Sequence, residues 1–204
     1  AKALDDSAGF QNPDVRSLAK ARADYDLRQA FSAAVVYELP FGRGRSFLSS
    51  GPRVLDVLIR EWQTTAIVTA RSGIPFSVAA PGDPANAAAG SVYANVRGNS
   101  NGSLPVGDRT IDRWFDTSAF SAPLQYTFGT AGRNILEGPG LMTLDFGLSR
   151  FFTVHENHKL QFRGEIFNLT DRANFGTPSA SVGNVAFGTI RSTGSAREVQ
   201  LALR

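Results

Sequence analysis

From Leu141 to Ser149 the chain alternates without interruption, with Met142, Leu144, Phe146 and Leu148 on one side of an extended backbone and Thr143, Asp145, Gly147 and Ser149 on the other. A period of two is the signature of a β-strand with one apolar and one polar face. Four further segments share it. Leu27 to Leu39 sets Phe31, Ala33, Val35, Tyr37 and Leu39 against Arg28, Ser32 and Glu38. Trp62 to Ser72 sets Trp62, Thr64, Ala66, Val68 and Ala70 against Gln63, Thr65, Thr69 and Arg71, with Ile67 interrupting the polar side. Lys159 to Leu169 sets Leu160, Phe162, Gly164 and Ile166 against Gln161, Arg163 and Glu165. The last, Arg197 to Arg204, alternates Val199, Leu201 and Leu203 with Glu198, Gln200, Ala202 and Arg204.

Most of these segments run to about nine to thirteen residues, longer than the usual soluble strand and close to what a tilted strand needs to cross a bilayer. Alternation by itself fits a soluble sandwich equally well, because both architectures bury one face of each strand. The connections separate the two. Segments three and four are joined by His155, Glu156, Asn157 and His158, whereas about seventy residues rich in Gly, Asn, Ala and Pro separate segments two and three. Tight turns on one side and long loops on the other are the pattern of an outer-membrane barrel, and so long a loop is anomalous in a compact soluble domain. The expectation is an all-β, antiparallel transmembrane β-barrel fragment of about five long strands with long extracellular loops.

Parity refines this. If the Leu144 and Leu160 stripes share the lipid side, paired residues are both even-numbered and the intervening loop is odd, three or five residues long. A five-residue loop would set Val154 opposite Leu160 and Phe152 opposite Phe162, an aromatic pair at the periplasmic rim. The same register puts Arg150 on the lipid side, where it has to snorkel to the interface or be turned inward by a bulge.

Composition agrees. The chain has 204 residues, 42% of them hydrophobic, but no run of eighteen apolar residues, so a helical membrane span is excluded. Its 20 Gly, 10 Pro and 15 Phe favour strands and turns over long helices. A net charge of +3 raises nucleic acid as a partner, yet the basic residues are scattered apart from Arg43 and Arg45, so none is expected. Cysteine is absent, which excludes thiolate metal sites, disulfides and a cysteine nucleophile. No basic stretch followed by an apolar run opens the chain, so export implies that its beginning is missing.

At this level of detail the residues match a family. Tyr25-Asp26-Leu27-Arg28, the turn Leu39-Pro40-Phe41-Gly42-Arg43-Gly44, and Trp62-Gln63 followed by Ser72-Gly73-Ile74-Pro75-Phe76 resemble the C-terminal barrel of Oar-like TonB-dependent receptors. So do Trp114-Phe115-Asp116 with Phe120, Gly132-Arg133-Asn134, Gly138-Pro139-Gly140 and Leu144-Asp145. Leu160-Gln161-Phe162-Arg163 with Glu165, Phe167-Asn168-Leu169, Asn174-Phe175-Gly176 and the strand from Arg197 to Leu203 continue the match in order. Each motif is weak alone; their order and spacing carry the likeness over nearly the whole chain. Residues 1–204 are accordingly read as one partial TonB-dependent receptor-like barrel. No plug domain or energy-coupling box precedes Ala1 and no terminal aromatic follows Arg204, so the expectation is a C-terminal fragment lacking the plug and N-terminal strands, with unpaired edges and little stability alone.

The resemblance implies energy-coupled import of a bulky nutrient across the bacterial outer membrane. Its partners would be outer-membrane lipid, the rest of the barrel and its plug, the TonB energy-coupling complex and an unidentified extracellular substrate. No cofactor is expected. It also implies that Leu39 to Trp62 and Val154 to Lys159 lie on the periplasmic side. Two alternatives stay open: an outer-membrane adhesion or structural barrel, and a soluble β-sandwich binding module.

Candidate sites follow from this frame. Tyr93, Asn95, Arg97, Trp114 and Phe115, in the connection from Ser77 to Gly140, form a polar and aromatic set suited to contacting a carbohydrate or peptide. Arg71, Asp145, Arg163, Glu165 and Glu198 are candidates for the lumen face. His155, Glu156 and His158 lack the spacing that puts two imidazoles on one helical face, so they read as a solvated turn and no metal is expected. Gly42 and Gly44 lack the third glycine of a phosphate cradle, and the sequons at Asn101 and Asn168 are short enough to arise by chance. Neither a Ser, His and Asp triad nor a paired-carboxylate arrangement is recognisable, so an enzyme is not expected.

Overall fold

The computed structural model describes residues 2–3, 11–12, 14–42, 46–47, 59–87, 92–98, 101–155 and 158–204. Five long strands form one sheet: β1 (Ala30–Glu38), β2 (Gln63–Arg71), β3 (Leu141–His155), β4 (His158–Phe167) and β5 (Glu198–Leu203). Their spatial order is their chain order, β5-β4-β3-β2-β1, an antiparallel meander whose sheet does not close on itself. No described helix is long and apolar enough to cross a membrane.

The register keeps the two faces apart. Leu39 N donates to Trp62 O (2.8 Å) and Ser72 N to Gln29 O (2.9 Å), so β1 and β2 are antiparallel with no slip between their two ends. The odd-numbered stripe of Phe31, Val35 and Tyr37 therefore lies opposite the even-numbered stripe of β2. Between β3 and β4, Phe146 faces Ile166, Leu148 faces Gly164, Gly147 faces Glu165 and Ser149 faces Arg163. Between β4 and β5, Ile166 faces Val199 and Glu165 faces Gln200. Mutual pairing of Gln161 and Arg204 through their backbone groups (2.7 and 2.9 Å) continues the ladder one residue beyond β5.

The predicted parity between β3 and β4 is observed, but the predicted loop and pairing are not. His155 pairs directly with His158, and the register then shifts by one residue before Lys159 meets Thr153. A two-residue connection plus that irregularity restores even-to-even pairing as an odd loop would, because an extra residue on one strand changes parity wherever it is placed. Leu160 consequently faces Phe152, and Phe162 faces Arg150, two residues away from the expected register.

The chain divides into two compact units: residues 30–70, 142–173 and 195–204 carry the sheet, and residues 1–29, 71–141 and 174–194 form the other. The second has a core of its own. Phe76, Val78, Tyr93, Ala94, Phe115, Ala119, Phe120, Ala131 and Leu136 are buried together. Phe115 lies at its centre, meeting Phe76, Phe120 and Phe187 with ring centroids 5.9, 5.8 and 5.2 Å apart. Short ladders brace it, Pro75–Phe76 against Leu136–Glu137 and Asn95–Val96 against Phe120–Ser121. Close backbone approach explains two of its glycines: a Cβ on Gly73 would lie 1.8 Å from Gly138 O, and one on Gly129 1.8 Å from Tyr93 O.

Candidate functional site

Strand alternation gathers the polar side chains of the sheet on one face. Gln63, Thr65, Asp145, Ser149, Gln161, Arg163 and Glu165 line a hollow of about 410 Å³, with Ile67, Phe151 and Phe167 among them. Gly147 keeps its middle open: a Cβ there would stand 3.7 Å from Thr65 Cβ and 3.9 Å from Glu165 Cγ, in the two neighbouring strands. The Arg163 guanidinium lies 3.7 Å from the Glu165 carboxylate, with both partly exposed, a pairing too hydrated to contribute much stability. Such a face can offer hydrogen bonds and charges of both signs to a polar solute.

The five candidate lumen residues share this face by strand parity, but they do not form one cluster. Arg163 and Glu165 stand together, whereas Asp145 is engaged locally, its Oδ1 accepting from Asn168 N at 2.8 Å where the chain leaves β4. Glu198 faces Phe167 at the start of β5, and Arg71 ends β2. Asn168 is itself structural. It is buried in the left-handed conformation (φ 50°), and its side-chain amide donates to the carbonyls of Arg172 and Ser195.

The opposite face carries Trp62, Phe152 and Phe162 around Arg150. Trp62 and Phe162 meet edge to face at 5.9 Å, and the Arg150 guanidinium lies 4.3 Å from the Phe152 ring centroid and 5.8 Å from that of Trp62. Arg150 is 3% exposed. Neither route expected for it is taken. The register irregularity lies beyond Thr153 and leaves Arg150 opposite Phe162, and the side chain is covered by aromatic rings, whose electron-rich faces attract a cation.

The candidate ligand-contacting set is dispersed by the core of the second unit. Tyr93 and Phe115 are buried within it, and burial pushes the Tyr93 phenol above its usual value. Trp114 packs against that core, donates from Nε1 to Glu137 O (2.9 Å) and lies under the Arg109 guanidinium, 5.6 Å away. Asn95 Oδ1 accepts from Thr130 N, which leaves Arg97 as the one exposed member of the five. The reason is physical: in a Gly- and Pro-rich connection the few large aromatic residues are what a core can be made from. His155 and His158 are described only as strand ends, and Glu156, Arg43 and Gly44 lie outside the described residues.

One cluster escaped the sequence reading. Arg22 binds Asp26 and Glu137, each at 2.9 Å. Buried Arg133 binds Asp24 at 2.7 Å, and Asn134 Nδ2 donates to Asp24 Oδ1 and to Arg22 O. Asp26, Arg133 and Asn134 stand in separate motifs and Arg22, Asp24 and Glu137 in none, and nothing in one sequence says that positions 22–26 and 133–137 meet.

The family model described as Outer membrane beta barrel domain matches residues 1–200. No curated protein and no solved structure matches the chain. A sheet of long antiparallel strands with one apolar and one polar face, matched by that model over almost its full length, establishes that the chain belongs to the outer membrane β-barrel domain family, a protein of the outer membrane.

Proposed function

We propose that the chain is part of a bacterial TonB-dependent receptor, contributing barrel wall and extracellular segments to the energy-coupled uptake of a bulky nutrient. The observation that carries this reading is the asymmetry of the connections: the ends of β2 and β4 lead into segments of the folded second unit, while β3 and β4 are joined by two residues. A barrel that captures a solute outside and passes it inward needs structure on the outer side and only turns on the inner side. The motif series from Tyr25 to Leu203 supports the receptor assignment over other barrels. In this reading the protein is not an enzyme; it works with outer-membrane lipid, the remainder of its barrel and plug, the coupling complex and an extracellular substrate. Growth of a strain lacking the full-length gene on pooled oligomeric nutrients tests it. The expected result is loss of uptake of one nutrient class, reproduced by a protonophore; uptake that proceeds unchanged without the coupling complex would sink the proposal.

The size and separate core of the second unit favour a second reading, an outer-membrane adhesion barrel. It predicts a defect in surface attachment with nutrient uptake intact.

A further inference from the structure

We propose that the second unit holds a subsite for one carboxylate-bearing sugar unit of an extracellular glycan, with Arg71 as its anion receptor and the Phe175 ring as its platform. This rests on the reading of the protein as an outer-membrane receptor and names the ligand chemistry that reading lacks.

The subsite is a cavity of about 240 Å³ where the chain leaves β2 and re-enters at β3. Its first wall is Arg71, Ser72 and Ile74 alongside Pro139 and Leu141. The two stretches approach so closely that a Cβ on Gly140 would lie 2.8 Å from Arg71 O, so glycine is required there. Its second wall is a small antiparallel ladder. Gly176 N donates to Ser192 O (2.8 Å) and Gly194 N to Asn174 O (2.7 Å), which sets Phe175 opposite Thr193. Gly176 is needed as well, since a Cβ would meet Ser192 Oγ at 2.2 Å.

Three features of this lining select the ligand. Arg71 is its one charged side chain, it is exposed, and its guanidinium makes no hydrogen bond or ion pair among the described residues. An unengaged guanidinium with no carboxylate lining the same cavity favours an anion, and its planar fork fits a carboxylate with two parallel hydrogen bonds. The hydroxyls of Thr177, Ser192 and Thr193 also have no partner among the described residues, and each can both donate and accept, as a ring bearing several hydroxyls requires. Phe175, 38% exposed, offers an apolar surface to the C–H face of such a ring. The volume lies below the roughly 300–1,000 Å³ of sites that enclose a whole ligand, which fits one unit of a longer chain.

Calorimetric titration of the full-length protein in detergent tests this, using trigalacturonate, its neutral counterpart trigalactose, and a dipeptide with a free terminal carboxylate. Trigalacturonate is expected to bind about tenfold tighter than trigalactose, and Arg71→Gln to remove most of that preference while Arg71→Lys keeps part of it. Phe175→Ala should weaken both sugars about equally. Heat-modifiable gel mobility identifies any variant that has not folded. Equal binding of the two sugars, or an Arg71→Gln protein that binds as the parent does, overturns the anion receptor, and dipeptide binding as tight as trigalacturonate overturns the sugar. Uptake that is lost or kept with binding intact bears on the receptor reading alone.

Discussion

In the sheet, Phe31, Val35 and Leu201 keep 60, 58 and 74% of their surface exposed, whereas in the unit formed by residues 1–29, 71–141 and 174–194 the equally apolar Val78, Val92 and Phe115 keep 0, 0 and 1%. One chain thus treats the same side-chain types in opposite ways. The second unit gathers a buried apolar core, as a protein in water does, and leaves single residues such as Val106 and Leu124 exposed. The sheet turns them outward, which is stable only where the surroundings are hydrocarbon. The exposure of a single residue therefore misleads, since Val106 and Val185 of the second unit are 81 and 98% exposed; the difference is that the buried apolar residues all lie in the second unit and none among the described residues lies in the sheet.

Substitutions can break this comparison, and the largest effect belongs to the core. Phe115→Ala removes the ring at its centre and should cost about 3–5 kcal/mol of local stability, read as loss of hydrogen-exchange protection in residues 76–136. Heat-modifiable mobility, which reports the barrel, should stay unchanged; collapse of both would show that the two units are one cooperative structure. Next comes Val35→Arg. In water an exposed substitution of this kind changes stability by less than about 0.5 kcal/mol, whereas on the lipid face near mid-bilayer it should cost about 2–4 kcal/mol. Thr65→Arg, on the polar face of the neighbouring strand, is the control and should be nearly neutral in urea unfolding from lipid vesicles.

The aromatic cover of Arg150 gives a smaller effect. Trp62→Ala strips one ring from a cation on the apolar face and should cost about 1–2 kcal/mol. Arg150→Met, which puts an apolar chain in the same place, should change stability by less than about 1 kcal/mol in either direction. If Arg150→Met proves the more damaging of the two, the charge has a positive role that its cover conceals. Smallest is the pH response of the second unit. The Arg22 hydrogen bond holds the partly buried Asp26 carboxyl below its ordinary value of 3.8. A carboxyl depressed in the folded state adds stability at pH values above its unfolded pKa and loses it as pH falls through the folded one. Protease protection of residues 21–28 should therefore weaken slightly on acidification below about pH 4, and Asp26→Asn should abolish that dependence.

The sheet was legible in the sequence because a strand with two unlike surroundings has to alternate, and the five segments from Phe31 to Leu203 do so over most of their length. Their faces and parity follow from that alternation. Their ends do not: Leu27 to Gln29 continue the pattern of β1 but belong to the other unit, where Gln29 O takes only a terminal hydrogen bond from Ser72. The core around Phe115 was illegible for a different reason. Its members come singly out of Gly- and Pro-rich stretches with no period, so Tyr93 and Phe115 read as a sticky surface when they are an interior. The Arg22, Asp24, Arg133 and Glu137 cluster joins residues more than a hundred positions apart, and charge says nothing about partner at that distance.

That the second unit is assembled from three pieces also sets a timetable. Each strand of the sheet pairs with its neighbour in sequence, so pairing can proceed as the chain arrives. Arg133 must instead wait for a partner at Asp24, and Ala79, which exchanges backbone hydrogen bonds with Ala180 and Val182, must wait for a segment a hundred residues downstream. The unit cannot be complete without residues up to 194, whereas the ladders among the first four strands need nothing beyond Phe167. A chain ending at Ala173 would keep the ladders among those four strands and lose Val182 and Phe187 from the packing around Phe115.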